Sequence, residues 1–124
     1  MHFTKHHGAG NDFLTGGLGN DTFVLNVVNG GHDTLVDFTS LADQIFVNTG
    51  DGLPIGTAVT LDPANLHYGN EAVAATWNGG TGKEFVFNAG TQELWYSANG
   101  TGSDKVDLAH VSTGVPVAAD VHTF

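Results

Sequence analysis

Gly8-Ala9-Gly10-Asn11-Asp12-Phe13-Leu14-Thr15-Gly16 runs without a gap into Gly17-Leu18-Gly19-Asn20-Asp21-Thr22-Phe23-Val24-Leu25. Aligned on their aspartates, both units read Gly-x-Gly-Asn-Asp-x-apolar, nine residues apart. The Asp-x-apolar element returns at Asp33-Thr34-Leu35, behind Gly30-Gly31, and again at Asp43-Gln44-Ile45. A short fixed period of this kind marks structural units that stack on one another. Nine residues accommodate a tight turn of about six and a strand of about three, and glycine lets such a turn visit positive φ. The apolar residue two places after each aspartate then points inward, which makes Leu14, Phe23, Leu35 and Ile45 a hydrophobic ladder.

The turns carry the chemistry. Each aspartate supplies hard carboxylate oxygens and each glycine-rich turn presents peptide carbonyls. Calcium takes six to eight such oxygens at about 2.3–2.6 Å. Stacked carboxylates repel one another until a cation lies between them, so binding and folding are expected to be coupled. Consecutive units turn at opposite edges, so turns that share an ion lie two units apart. Asp12 is therefore expected to pair with Asp33, and Asp21 with Asp43, at separations of 21 and 22 residues. An uninterrupted array would give about 18, so each site must absorb a short insertion, and one or two ions are expected. The expected metal-site residues are Gly8, Gly10, Asp12, Gly17, Gly19, Asp21, Gly31, Asp33 and Asp43. For Asp37 a turn closed on its own backbone is an equal alternative.

Outward from the repeats, short β segments alternate with glycine-rich turns. Strands are expected over residues 13–15, 22–25, 34–37, 44–47, 58–61, 84–88, 93–97 and 105–111, with a single helical turn at residues 63–66. Residues 85–96 have the pattern of a β-hairpin with aromatics at Phe85, Phe87, Trp95 and Tyr96. Those rings serve either as core or as a sugar-binding platform, core being the commoner use.

Composition narrows the partners. Thirteen acidic residues against three cations, Lys5, Lys83 and Lys105, give a formal charge of −10 on 124 residues. Such a charge repels nucleic-acid phosphates and anionic membranes. The chain has no cysteine, so disulfides and thiolate sites are excluded, and bound metal is one of the few remaining staples for a small exported fold. No apolar run has the length of a membrane span. His2, His6 and His7 cluster at the N-terminus without a completing ligand set and read as a flexible or tag-like tail, while His32, His67, His110 and His122 read as structural or exposed. Asp104 and Asp107 read as solvated charges at a strand edge.

Residues 8–25 resemble the glycine-rich nonapeptides of the repeats-in-toxin (RTX), hemolysin-type calcium-binding family, and the stretch from Leu14 to Phe23 resembles the last repeat before its C-terminal cap. Gly31-His32-Asp33-Thr34-Leu35-Val36-Asp37-Phe38, leading to Ala42-Asp43-Gln44-Ile45, is similar to that family's continuation. Leu94-Trp95-Tyr96-Ser97-Ala98-Asn99-Gly100-Thr101-Gly102 is similar to a hairpin of its caps, with Ser97 and Asn99 where related hairpins often carry acids. The resemblance implies an all-β chain: a short parallel β-roll of calcium-binding repeats, followed by an antiparallel, sandwich-like C-terminal cap. Residues 1–7 then form a flexible leader, 8–47 the roll, and 48–124 the cap with an uncleaved secretion signal. It further implies a secreted, extracellular, non-catalytic module, excised from a longer parent and exported by type I secretion machinery. The alternative is a carbohydrate- or surface-binding module with structural calcium, for which exposed Trp77, Trp95 and Tyr96 are the required feature. An open sheet edge near residue 8 makes a homodimer through that edge an expected association.

Enzyme signatures are missing. There is no His-Glu-x-x-His and no Gly-x-Ser-x-Gly. Residues 1–14 look like the opening of diaminopimelate epimerases, but that family works with a cysteine pair and this chain has none.

Overall fold

The computed structural model describes residues 4–6, 11–28, 31–50, 53–77 and 82–124. Among these residues strands dominate and helix is confined to 3-10 turns. The strands are β1 (Thr4–His6), β2 (Phe13–Leu14), β3 (Thr22–Asn26), β4 (Asp33–Leu35), β5 (Gln44–Asn48), β6 (Val59–Thr60), β7 (Leu66–Tyr68), β8 (Glu84–Asn88), β9 (Glu93–Ser97), β10 (Val106–Val111) and β11 (Val121–Thr123).

They form two mixed sheets, ordered β1-β3-β5-β11-β6 and β2-β4-β10-β9-β8-β7. Through the repeats the chain alternates between them: β2 and β4 pair in parallel in one sheet, β3 and β5 in the other. Register follows the repeat. Leu14 lies beside Leu35 and Phe23 beside Ile45, and all four are buried as the inward ladder requires. Backbone bonds lock the rungs, Thr34 N donating to Asp12 O and Gln44 N to Asp21 O, each at 2.8 Å.

The later strands do not form a separate antiparallel unit. β8–β9 is antiparallel, as the hairpin pattern predicts, with Asn88 opposite Glu93, and β9–β10 is antiparallel as well. However, β10 and β11 pair in parallel with the repeat strands β4 and β5, and β7 pairs in parallel with β8. Both sheets therefore run on from the repeats into the C-terminal half. The reason is unsatisfied backbone: β4 and β5 each leave a row of peptide groups that a neighbouring strand must pair. A single hydrophobic cluster draws on both sheets, with Phe23, Ile45 and Val121 from one and Leu35, Phe85 and Leu108 from the other.

Thr4–His6, assigned from sequence to a flexible leader, is a strand in parallel register with Thr22–Val24 of β3. A three-residue polar strand has no period of its own to read. The one-turn helix expected near Pro63 is a 3-10 turn at Pro63–Asn65, with Asp62 capping Ala64 N at 2.9 Å.

Candidate metal-binding turns and a histidine–carboxylate cluster

Each repeat aspartate lies at the entry of its strand, beside its partner two units away. Asp21 N donates to Asp43 Oδ1 at 2.8 Å, and Asp12 N donates to Asp33 Oδ1 at 2.9 Å. The pairs expected at separations of 21 and 22 residues are thus neighbours in space. Gly17, Gly19 and Gly31 all take positive φ, at 87°, 90° and 71°, which is the turn conformation glycine is needed for. Gly8 and Gly10 lie outside the described residues. Asp37 does not close on its own backbone. Its two carboxylate oxygens accept from Gly16 N and Gly17 N, each at 2.8 Å, and hold the glycine turn ahead of Asp21.

Asp21 and Asp43 are buried and line a cavity of about 270 Å³ with Asn20, Leu41, Ala42, Gln44, Ala119 and Asp120. Asp120 was not expected there. It comes from the far end of the chain, accepting from Leu41 N at 2.9 Å, Ser40 Oγ at 2.6 Å and Val117 N at 3.0 Å. Asp43 Oδ2 also accepts from Thr39 N at 2.8 Å. Among the described residues the lining has three carboxylates and no lysine, arginine or histidine. Each carboxylate oxygen carries two lone pairs, so those that accept one N–H retain capacity for a cation. Carboxylate and amide oxygens of this kind are the donors that hard cations take, and no thiolate or imidazole stands among the described lining residues.

A second cluster lies on the β4–β10–β9 sheet, built from residues that read as unrelated in sequence. His32 Nε2 is 3.0 Å from Glu93 Oε2 and 3.4 Å from Asp107 Oδ1, and His110 Nδ1 is 3.5 Å from the same Glu93 oxygen. Asp107 is therefore not a freely solvated strand-edge charge. Burial, followed by the Glu93 carboxylate, raises its pKa to about 6, with Glu71 adding to the rise and His32 and His110 opposing it. Asp104 does sit at an exposed turn, where its carboxylate accepts from Ser97 Oγ and Asn99 N.

A register shift explains why strand periodicity missed this cluster. In a regular strand, Asp107 and His110 face opposite sides. Between Asp107, opposite Trp95, and Ala109, opposite Leu94, β10 carries one extra residue. That bulge puts both polar side chains against Glu93 while Leu108 and Val111 stay in the core.

No family model matches the chain, and no curated protein matches it. Among the described residues no helix is long and apolar enough to cross a membrane.

Proposed function

We propose that this chain is a calcium-binding folding and secretion module, built as a short parallel roll of glycine–aspartate turns with a C-terminal cap. The observation that carries the proposal is the register of Asp21 on Asp43. It brings two buried carboxylates, joined by Asp120, to one cavity whose lining offers carboxylate and amide oxygens. Calcium between the turns converts carboxylate repulsion into coordination, so the ion stabilises the folded chain rather than serving a reaction. The Asp12–Asp33 pair provides the second place for an ion. In this account the module is non-catalytic, acts outside the cell where calcium is millimolar, and reaches it through type I secretion machinery.

Of the three rings the glycan-binding alternative needs exposed, two are buried and Trp95 is half-buried. Trp77 is fully buried with its indole N–H donating to Glu71 O at 2.8 Å, and Tyr96 and Phe85 are buried against each other with ring centroids 5.0 Å apart.

Calorimetric titration of the calcium-stripped chain is the test. Wild type is expected to bind calcium in the range of about 10⁻⁴–10⁻³ M typical of extracellular modules. The combined Asp12→Ala and Asp21→Ala variant is expected to bind at least tenfold more weakly. An unchanged titration in that variant removes the turns as the site.

A further inference from the structure

The His32, Glu93, Asp107 and His110 cluster differs in chemistry and position from the aspartate turns. We propose that it is a site for one divalent transition-metal ion of the zinc class, with His32, Glu93 and Asp107 as ligands and His110 as the adjacent fourth donor.

Geometry is the first support. Ligand atoms of His32, Glu93 and Asp107 all lie within 4.8 Å of one another. An ion held at about 2.1 Å by tetrahedral nitrogen and oxygen ligands keeps those ligands about 3.4 Å apart. The distances of 3.0 Å from His32 to Glu93 and 3.4 Å from His32 to Asp107 are close to that spacing, and the Glu93–Asp107 edge lies within 4.8 Å, so side-chain adjustments alone would seat the ion.

Rigidity is the second. Glu93 and Asp107 stand on β9 and β10, which are paired to each other within the six-stranded sheet, and His32 immediately precedes β4 on the other side of β10. Glu93 and Asp107, fixed by strands rather than by loops, lose little conformational freedom on binding. The β10 bulge is a local departure from ladder regularity whose consequence is to bring Asp107 and His110 to the same carboxylate.

Chemical character is the third. Two carboxylates face each other in a half-buried setting with imidazoles and, among the described residues, no lysine or arginine. Asp107 Oδ1 is wholly buried and has no hydrogen-bond partner, although His32 Nε2 lies nearby. Imidazole nitrogen is a poor calcium ligand and a good zinc ligand, so this site and the turns select different ions.

The test is titration of the full chain with zinc chloride in buffer holding calcium at several millimolar, which keeps the turns loaded. One equivalent of zinc is expected to bind, with the ring resonances of His32 and His110 shifting in NMR spectra. Glu93→Gln and Asp107→Asn, both isosteric, are each expected to weaken binding at least tenfold. A variant with His2, His6 and His7 changed to alanine is expected to bind unchanged. Zinc binding that survives Glu93→Gln and Asp107→Asn but disappears with the terminal histidines overturns the proposal. So does the absence of any His32 or His110 shift in wild-type protein, a result that needs no variant to fold.

Discussion

Gly16 is the most sensitive position for testing how the Asp21 turn is packed. A Cβ built there meets Asp21 Oδ2 at an impossible distance and lies 2.6 Å from Asp21 Cγ and 2.8 Å from its Cβ. Carbon atoms in good contact are about 3.5–4.0 Å apart. Turning the Asp21 side chain cannot relieve the encroachment on Cβ, because that atom is fixed by the backbone. The backbone is itself tied down, with Asp21 N bonded to Asp43 and Asp21 O bonded to Gln44 N, each at 2.8 Å. Overpacking of this kind costs about 1–3 kcal/mol, and the rigid surroundings place Gly16→Ala near the upper end. Urea unfolding in calcium-saturated buffer reads this directly. With a slope of about 1–3 kcal/mol per molar urea, the midpoint should fall by about 1 M or more. Gly56→Ala is the control, since nothing lies within 4 Å of its added methyl and no strained φ is involved. It should be neutral or gain up to about 1 kcal/mol through the unfolded state. Because the Asp21 carboxylate must move, Gly16→Ala should also weaken calcium binding, whereas Gly56→Ala should not. Equal midpoints for the two variants would refute the packing described for the turn.

Two further outcomes follow from the buried carboxylates. Asp107 has its folded pKa raised from 3.8 to about 6, so between those values the folded chain holds more protons than the unfolded chain and stability falls as pH rises. The full shift corresponds to about 3 kcal/mol, which partial exposure and screening reduce to about 1 kcal/mol. In calcium buffer cleared of transition metals, Asp107→Asn should therefore gain on wild type between pH 4 and pH 7, and a pH-independent difference in urea midpoint would contradict the assignment. Asp120→Ala removes the acceptor for Leu41 N, Ser40 Oγ and Val117 N. With charged hydrogen bonds contributing about 1.5–3 kcal/mol each, the loss should reach about 3 kcal/mol and lower the melting temperature by about 10 °C. A melting temperature within a degree or two of wild type would show that Asp120 does not tie the C-terminal segment to the turns.

The elements legible in the sequence are those with their own period. Asp-x-apolar recurrence places Leu14, Phe23, Leu35 and Ile45 inside and sets the pairing of Asp12 with Asp33 and Asp21 with Asp43. The alternation around residues 84–97 gives the β8–β9 hairpin. What stayed hidden depends on distant partners. Val121–Thr123 is a strand because β5 and β6 flank it, and Leu66–Tyr68 because β8 does. Three-residue segments carry too little pattern to reveal either. Asp120 joins the Asp21–Asp43 cavity through contacts about 80 residues apart, beyond the reach of motif spacing. The His32–Glu93–Asp107 cluster requires both a parallel pairing across the chain and a bulge that breaks the period-2 rule.

Calcium-coupled folding is tested most directly by circular dichroism and thermal melting of the chain in EDTA, followed by calcium raised to a few millimolar. If the paired aspartate turns hold the ion, β signal and melting temperature rise together with calcium, and the increase is lost in the Asp12→Ala, Asp21→Ala variant. Spectra and melting curves identical in EDTA and in calcium would mean that the turns are held by their backbone hydrogen bonds alone, and calcium would have no part in the fold.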